Sequence, residues 1–330
     1  MNPRWFPHRL DLETDSLLLV EKSEEDYREA SFLDDRSLRP DRRQHLVPWT
    51  EVAGAVPAEA RRDLHYIFHI GHVGSTLISR LLGELPDVLA LREPLILRTL
   101  AERPAELAPR LDTVTALLSR TFRPDQRAMV KATSFVSEIA AELVPADSRA
   151  LLLYARPERY VETILAGENS RRESAVTRPA RLARLGRRIA DRDWAATGEG
   201  EAIALGWAAE MTSLMRASRA LGERALMMDF DAFLAAPAAR LLEISRFFDL
   251  RLDAEEAEAL AAHPLMRRYS KAPEYEYDAD LRDQLLSRCR AEHSDQIARA
   301  QAWLAVAASV PEVAEALRIA STSGASAANR

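Results

Sequence analysis

The sequence predicts an α/β fold in which a parallel sheet is flanked by helices. The first observation is a series of short apolar runs, "YIFHI", "AMVKA", "RALLLYA" and "RALMMDF", which alternate with helical stretches from His65 onward. Such runs are typical of parallel strands that are buried on both faces. The second observation is the segment "GHVGST", whose two glycines separate the first apolar run from the helical stretch "STLISRLLGEL". With 330 residues, 47% of them hydrophobic, the chain is long enough to build a large core.

The elements around this pattern divide the chain into three parts. Residues 1–60 are an accessory region with an edge strand at "SLLLVEK", a short helix at "EEDYREASFL" and a polar connection at "RPDRRQHLVPWTEV". Residues 61–310 are the α/β domain, in which "EAIALGWAAEMTSLMRASRAL" predicts a long amphipathic helix and further helices follow the last strand. Residues 311–330 are predicted to be a largely disordered tail, because they end in the small polar residues "STSGASAANR".

Composition excludes several classes of function. The formal net charge of -6 and the isoelectric point of about 5.8 argue against a nucleic-acid or anionic-membrane binder, since both need a positive field. The single cysteine, Cys289, excludes an internal disulfide framework and fits a reducing compartment. Acidic residues and a proline interrupt the N-terminal apolar residues, so no signal or membrane segment is expected there. We therefore expect a cytoplasmic protein.

The segment "GHVGST" has the residues of an anion-binding loop. Gly71 and Gly74 allow tight turns and a close approach to a ligand. The hydroxyls of Ser75 and Thr76 stand at the start of a helix, where the first N–H groups have no internal partner. The alternative is that these residues only cap the helix. Because no GK[ST] sequence follows, the loop is not a Walker A motif, and ATP hydrolysis is disfavoured.

This segment resembles the 5′-phosphosulfate loop of the sulfotransferase family, "GxxRSGTTLL", which is followed there by "HPD" and a "GEP" or "EE" segment. The corresponding residues here read "IGHVGSTLISRLLGELPDVLALREP". Two later blocks match in order: "RPERYVETIL" is similar to the 3′-phosphate segment "vRdPrdvvaSl", and "MMDFDAFLAAPAARLLEISRFFDL" is similar to "YEDLxxdPxxxlxxixxFlgl". Trp207 stands where many members have a tryptophan. The resemblance covers residues 65–250 and extends more weakly to residue 305.

The resemblance implies a P-loop, nucleotide-kinase-like sheet and a sulfotransferase that uses 3′-phosphoadenosine-5′-phosphosulfate without a metal. The donor-binding residues that it implies are Gly71, His72, Val73, Gly74, Ser75, Thr76, Lys131, Arg156 and Thr163. Two residues depart from the family pattern. His72 replaces the loop lysine or arginine, and Ala155 replaces the arginine of the 3′-phosphate segment, with Arg156 one place later. An imidazole supplies the missing charge only while it is protonated, a form that a bound phosphosulfate favours.

Glu93 in "LREP" matches the glutamate that serves as base in the protein-tyrosine branch of the family. The resemblance therefore implies that Glu93 removes the acceptor proton and that His72 is the loop cation. The alternative for Glu93 is an exposed loop carboxylate paired with Arg92. Lys131 resembles a lysine that bacterial members place at a strand end, and its alternative is a lysine whose stem lies along apolar surface.

Three histidines close together in the sequence raise the question of a metal site. His65 and His69 share one face of the predicted strand, but His72 lies beyond it in the loop. No carboxylate or cysteine has the spacing to complete a ligand set, so no metal is expected.

Eight arginines lie between Arg171 and Arg192, against two acidic residues. Arg181, Arg184 and Arg188 fall on one helical face. This pattern predicts either a solvated face or a basic patch that binds an anionic acceptor or the donor's 3′-phosphate. Lys271, in "RYSKAPEYEYD", is a solvated lysine or one that closes over the nucleotide.

The sequence leaves three functions open. The leading interpretation is a sulfotransferase that acts on a hydroxyl or amine of a small-molecule or glycan-type acceptor. The first alternative is a nucleotide-dependent kinase or other phosphotransferase on the same fold, against which the missing Walker lysine counts. The second is a catalytically silent nucleotide- or partner-binding protein, which His72 and Ala155 favour.

Overall fold

The computed structural model describes residues 2–189, 194–268 and 276–322. Its first part is a three-stranded antiparallel sheet in the order β1-β2-β3 with two short helices. The strands are β1 (Trp5–Asp11), β2 (Ser16–Glu21) and β3 (Gln44–Pro48), and the helices are α1 (Glu24–Glu29) and α2 (Trp49–Gly54). The predicted short helix is confirmed. Two other predictions for this region are wrong, because β2 is a central strand and the predicted polar connection contains β3 and α2.

The second part is a five-stranded parallel sheet in the order β5-β6-β4-β7-β8. Its strands are β4 (His65–His69), β5 (Val88–Arg92), β6 (Arg127–Lys131), β7 (Ala150–Tyr154) and β8 (Ala225–Asp229). The first strand of the domain, β4, is central, and all five of its residues are buried. The predicted α/β fold, with a buried parallel first strand that leads into the glycine loop, is confirmed.

Helices connect the strands and cover the sheet. Up to the last strand they are α3 (Ser75–Leu82), α4 (Leu95–Glu102), α5 (Leu111–Leu118), α6 (Ala140–Leu143), α7 (Pro157–Leu165), α8 (Glu168–Arg188) and α9 (Glu199–Leu221). After β8 they are α10 (Phe230–Ala235), α11 (Pro237–Phe248), α12 (Ala254–Ala261), α13 (Ala279–Glu292), α14 (Ser294–Ala307) and α15 (Pro311–Thr322). The predicted long helix α9 is confirmed, and most of its residues are buried.

The accessory region is joined to the parallel sheet through Arg92, the last residue of β5. The guanidinium of Arg92 is 1% exposed and donates to three main-chain carbonyls at the end of α1, those of Tyr27, Arg28 and Ala30. The end of the helix leaves these carbonyls without helical partners, so they are free to accept from the buried guanidinium. Burial lowers the pKa of Arg92 to about 9. A buried polar contact therefore joins the accessory region to the α/β domain.

The C-terminal segment differs from its prediction. Residues 311–322, predicted as part of a disordered tail, form α15. The helix forms because Val313, Ala316 and Ala320 recur at helical spacing and are all buried. Residues 323–330 lie outside the described residues.

Candidate functional site

The carboxyl ends of the parallel strands bring the predicted site residues to one edge of the sheet. β4 ends at the glycine loop, β5 is followed by Glu93, and β6 ends at Lys131. β7 leads to Arg156 and α7, and β8 leads to Phe230 and Asp231. The central position of β4 places the loop between the ends of β6 and β7.

The glycine loop has a run of left-handed backbone conformations. Gly71, His72 and Gly74 have φ values of 90°, 54° and 63°. Such conformations turn successive N–H groups toward a common concavity that suits an anion. The ring of Phe230 packs on the loop so closely that a Cβ added at Gly74 would lie 2.0 Å from a ring carbon. Glycine is therefore required at position 74 by both backbone conformation and space.

The start of α3 offers donors to the same concavity. Gly74 is the N-cap residue, and no side chain caps the helix, so the alternative in which Ser75 or Thr76 acts as a cap is not the arrangement found. Thr76 is 2% exposed, and among the described residues its Oγ1 has no hydrogen-bond partner. A buried hydroxyl without a partner is costly, so this group is suited to a ligand that accepts its proton. The buried, unpartnered hydroxyl of Thr76 therefore shows that the loop suits an anionic group.

His72 turns toward α8. Its Nε2 lies 3.4 Å from a carboxylate oxygen of Glu173, and its Nδ1 lies 3.3 Å from Oγ of Ser170. A protonated His72 thus has a carboxylate partner on the neighbouring helix. The imidazole is largely buried, with 10% of the side chain exposed.

Glu93 and Lys131 form a buried ion pair between the ends of β5 and β6. Lys131 Nζ donates to Glu93 Oε1, and the main-chain N–H of Glu93 donates to the carbonyl of Lys131 at 2.6 Å. The ammonium is 1% exposed and the carboxylate 13%. Glu93 also has a φ of 54°, which is uncommon for a residue with a side chain. Neither alternative from the sequence holds, because Arg92 binds α1 instead of Glu93 and Lys131 has a charged partner.

A cluster of arginines follows β7 and includes the displaced Arg156. Asp231 accepts from Arg282 at 2.7 Å, and it lies 3.3 Å from Arg159 and 3.7 Å from Arg156. Arg159 also lies 3.3 Å from Glu162, which accepts from Arg290 at 2.9 Å, so the cluster is a network of guanidiniums and carboxylates. Thr163 lies two helical turns after Arg156 on α7 and is partly buried.

The sequence did not single out Arg159, Arg282 or Asp231. Arg159 could have been predicted, because it lies three residues after Arg156 in "RPERY" and so falls on the same helical face. Arg282 comes from α13, and nothing in the sequence relates it to α7.

A hydrogen bond joins Trp207 to the main chain at Ala155. The indole Nε1 of Trp207, on the buried α9, donates to the carbonyl of Ala155 at 2.9 Å. A buried indole N–H needs a partner, and the end of β7 supplies it. The contact fixes the chain where it leaves the strand toward Arg156.

The arginine face of α8 is not solvated. Arg181 and Arg184 are buried, and most of the Arg188 side chain is also covered. Arg181 donates to Glu210 at 3.1 Å, Arg184 to the Phe135 carbonyl at 2.8 Å, and Arg188 to Glu138. The solvated-face alternative is therefore wrong. Because Nη2 of Arg181 lies 3.8 Å from the position that a Cβ on Gly71 would take, this face adjoins the glycine loop, and the anion-binding alternative stays a prediction. Lys271 and Arg192 lie outside the described residues.

The two strand histidines have structural partners. His65 Nε2 donates to the Phe248 carbonyl at 3.1 Å, and its Nδ1 accepts from the Arg149 N–H at 3.1 Å. His69 Nε2 donates to the Ala132 carbonyl, and its Nδ1 accepts from the Gly71 N–H, both at 2.9 Å. His69 thereby fixes the start of the glycine loop. Within residues 2–189, 194–268 and 276–322, no group of three His, Cys, Asp or Glu side chains is arranged to hold a metal ion.

The buried His65 should make stability depend on pH. Burial and the neighbouring Arg127 guanidinium lower the pKa of His65 from 6.5 to about 4. Below pH 6.5 the unfolded chain takes up a proton that the folded protein refuses until about pH 4. We expect this residue to remove about 3 kcal/mol of stability between pH 7 and pH 4. Denaturant unfolding across that range should show a shallower pH dependence for His65→Asn, and equal slopes would contradict the assignment.

Comparison with known proteins adds the following. No family model and no curated protein matches the chain. Among solved structures, a domain from the curacin biosynthetic pathway aligns at 13% identity over 70% of this chain and 97% of its own, with a TM-score of 0.44. A protein from Alicyclobacillus acidocaldarius aligns at 17% identity over 73% and 95%, with a TM-score of 0.37. A mouse protein in complex with PAP aligns at 11% identity over 64% and 68%, with a TM-score of 0.35.

These three structures are sulfotransferases. In the part of the chain that the structure describes, no helix is long and apolar enough to cross a membrane.

Proposed function

We propose that the protein is a sulfotransferase that moves a sulfuryl group from 3′-phosphoadenosine-5′-phosphosulfate to a hydroxyl or amine of an acceptor. The observation that carries the proposal is the pairing of Glu93 with Lys131 at the strand ends beside the anion-binding loop. It puts a carboxylate, a fixed positive charge and an anion cradle at one edge of the sheet. Sulfuryl transfer needs these three groups, since a proton must leave the acceptor and charge develops on the leaving phosphate.

In this proposal the donor is held at its two anionic ends. The loop amides and the Thr76 hydroxyl bind the 5′-phosphosulfate, with Gly71, Val73, Gly74 and Ser75 shaping the cradle. The 3′-phosphate is held by Arg156 and Thr163, assisted by Arg159 and Arg282. The clustering of three guanidiniums around Asp231 supports this assignment, because a phosphate is well matched by several guanidiniums.

In the same proposal, Glu93 accepts the acceptor's proton. The acceptor oxygen or nitrogen forms a bond to sulfur while the bond from sulfur to the phosphate oxygen breaks, and the electron pair stays on the phosphate. Lys131 holds Glu93 Oε1, so the other oxygen, Oε2, is the one that takes the proton. His72, protonated and partnered by Glu173, is the loop cation that stabilises the charge on the leaving phosphate.

Calorimetric titration with 3′-phosphoadenosine 5′-phosphate in the absence of magnesium tests the proposal. Submillimolar binding is expected, because the loop and the arginine cluster supply the charge that a metal would otherwise provide. Stimulation by magnesium would instead favour a kinase on the same fold. The measurement comes before any search for the acceptor, which we propose to be a small molecule or glycan met in the cytoplasm.

Replacing Thr76 with alanine should weaken binding of that nucleotide by roughly 1 to 3 kcal/mol, the range for a hydrogen bond to a charged group. Ser79→Ala is the matched control. Ser79 also has a buried hydroxyl without a partner among the described residues, but it lies further along α3. The Ser79 variant should keep wild-type affinity in the same titration. Equal affinities for wild type and the Thr76 variant would place the phosphosulfate elsewhere.

A catalytically silent nucleotide-binding protein is the second candidate. The engagement of Glu93 by Lys131 favours it, because a carboxylate held by a buried ammonium can serve structure alone. Such a protein would bind the nucleotide without turnover of any acceptor, and its nucleotide affinity would be unchanged by Glu93→Gln.

A further inference from the structure

A three-residue turn in the accessory region, Asp35–Ser37, is held from both sides by buried polar groups. His8 on β1 is fully buried, and its Nε2 lies 3.0 Å from an oxygen of Asp35. Lys22, which follows β2 and is also buried, donates to the carbonyl and the hydroxyl of Ser37 at 3.1 and 3.2 Å. Burial of such groups is costly unless they are partnered, so both contacts fix the turn. The residue between them, Arg36, is thereby presented outward.

The segment before the turn is attached to the strand end that carries Glu93. The N–H of the buried Leu33 donates to the carbonyl of Arg92 at 2.6 Å, and Arg92 Nε donates to the carbonyl of Ala30 at 2.6 Å. Arg80 on α3 donates to the hydroxyl of Ser31 at 2.7 Å. The segment therefore runs beside the residue that precedes the proposed base.

Arg36 itself is held in a defined position but remains accessible. Its guanidinium lies 3.6 Å from the centre of the Phe32 ring and donates through Nε to Asp34 at 2.9 and 3.0 Å. The side chain is 61% exposed. Within the described residues, its Nη1 group donates to no acceptor. A planar guanidinium with one side held and the other open can bind a second anion.

The segment that carries Arg36 lies at the edge of the site, because Leu33 donates to the carbonyl of Arg92, the residue directly before Glu93. Asp34 raises the pKa of Arg36 most, and the carboxylates of Glu93 and Glu173 raise it further. Glu173 is the partner of His72. The influence of these two carboxylates agrees with the position that the hydrogen bond gives the segment.

We propose that Arg36 binds an anionic group of the acceptor, so that the preferred acceptors carry a carboxylate, phosphate or sulfate beside the reacting hydroxyl. The proposal rests on the proposed function and gives the accessory region its role: the three-stranded sheet positions a specificity residue at the rim of the site. Arg36 contacts the acceptor and not the reacting atoms, so it governs the choice of acceptor and not the transfer step.

The test is a calorimetric titration of the full chain, saturated with 3′-phosphoadenosine 5′-phosphate. The titrants are a panel of aliphatic and aromatic hydroxy acids, and each acid is compared with its methyl ester. At least one acid should bind about tenfold or more tightly than its ester, and Arg36→Gln should remove that preference. Arg36→Lys should keep part of it, since the charge remains. Arg39→Gln is the matched control, because Arg39 is an exposed arginine of the same segment that binds Asp41, and it should behave as wild type.

Two further arms separate the possible failures. Arg36→Gln leaves the Asp34 carboxylate without its partner. The double variant Arg36→Gln with Asp34→Asn removes that carboxylate and should still lose the preference for acid over ester. If the double variant regains the preference, the loss in the single variant is due to Asp34. If no acid outbinds its ester, or if Arg36→Gln keeps the preference, the inference is overturned. Repeating the panel without the nucleotide distinguishes this from failure of the proposed function, in which the nucleotide itself does not bind.

Discussion

Glu93→Gln should lower the rate of sulfuryl transfer by roughly 10²-fold or more while donor affinity stays within about twofold, because a positioned base contributes about that much to a transfer rate. Glutamine keeps the shape of the side chain but cannot accept the proton. Turnover of an identified acceptor and titration with 3′-phosphoadenosine 5′-phosphate measure the two quantities separately. Loss of rate without loss of affinity would assign Glu93 to the transfer step.

The ion pair with Lys131 requires a control for this variant. Glu93→Gln leaves a buried ammonium without its counter-charge, which lowers stability by itself. In Glu93→Gln with Lys131→Met the unpaired charge is removed, and we expect stability to recover while transfer does not. Recovery of transfer in the double variant would mean that the single variant lost activity because the Lys131 ammonium was unpaired. Wild-type turnover in Glu93→Gln would exclude Glu93 as the base of the transfer step.

Gly74→Ala should disrupt the glycine loop more than any other single methyl group added there. A Cβ at this position would lie 2.0 Å from the Phe230 ring, and the φ of 63° disfavours a side chain. We expect a loss of roughly 2 to 4 kcal/mol of stability, from overpacking and left-handed backbone together, and no detectable nucleotide binding. Denaturant unfolding and calorimetric titration provide the two measurements.

Gly222→Ala separates the two causes. Gly222 has a similar φ of 58°, but a Cβ there meets nothing within 4 Å. Its ψ of −127° is a conformation that side chains rarely adopt, so its substitution should cost backbone strain alone, roughly 1 to 3 kcal/mol, and leave nucleotide affinity unchanged. Adding Phe230→Ala to Gly74→Ala should recover part of the stability, because the clash is removed. A Gly74→Ala loss that does not change when Phe230→Ala is added would show that the ring yields to the added methyl group.

Much of the parallel sheet could be predicted because its strands are short apolar runs buried on both faces. The antiparallel sheet was harder to predict, because two of its strands lack a clear hydrophobic pattern. β1 contains Pro7 next to an irregularity in the strand register, and β3 is mostly exposed, so neither has a clear apolar period. α15 was missed because two of its three buried residues are alanines, which carry little hydrophobic signal.

The site could be predicted residue by residue but not as a set of contacts. Glu93 and Lys131 are 38 positions apart, and they meet only because β6 inserts between β5 and β4, an order that the chain sequence does not reveal. The burial of the α8 arginines could not be predicted for a related reason. Arginines are usually exposed, and Glu210, the carboxylate that pairs with the buried Arg181, lies on another helix. The roles of Glu93, His72 and the donor-binding residues all stay predictions.

The contacts between the accessory region and the rest of the chain set an order for folding during synthesis. β1 is completed by Arg120, which donates to the carbonyl of Trp5 at 2.6 Å, and the end of α1 is completed by Arg92. The first sixty residues therefore leave the ribosome long before the two arginines that satisfy their main-chain carbonyls. Although N-terminal units generally fold first during synthesis, we expect these residues to stay exposed to chaperones and proteases until residue 120 has emerged. Nascent chains arrested before and after that point should differ in protease resistance over residues 2–60.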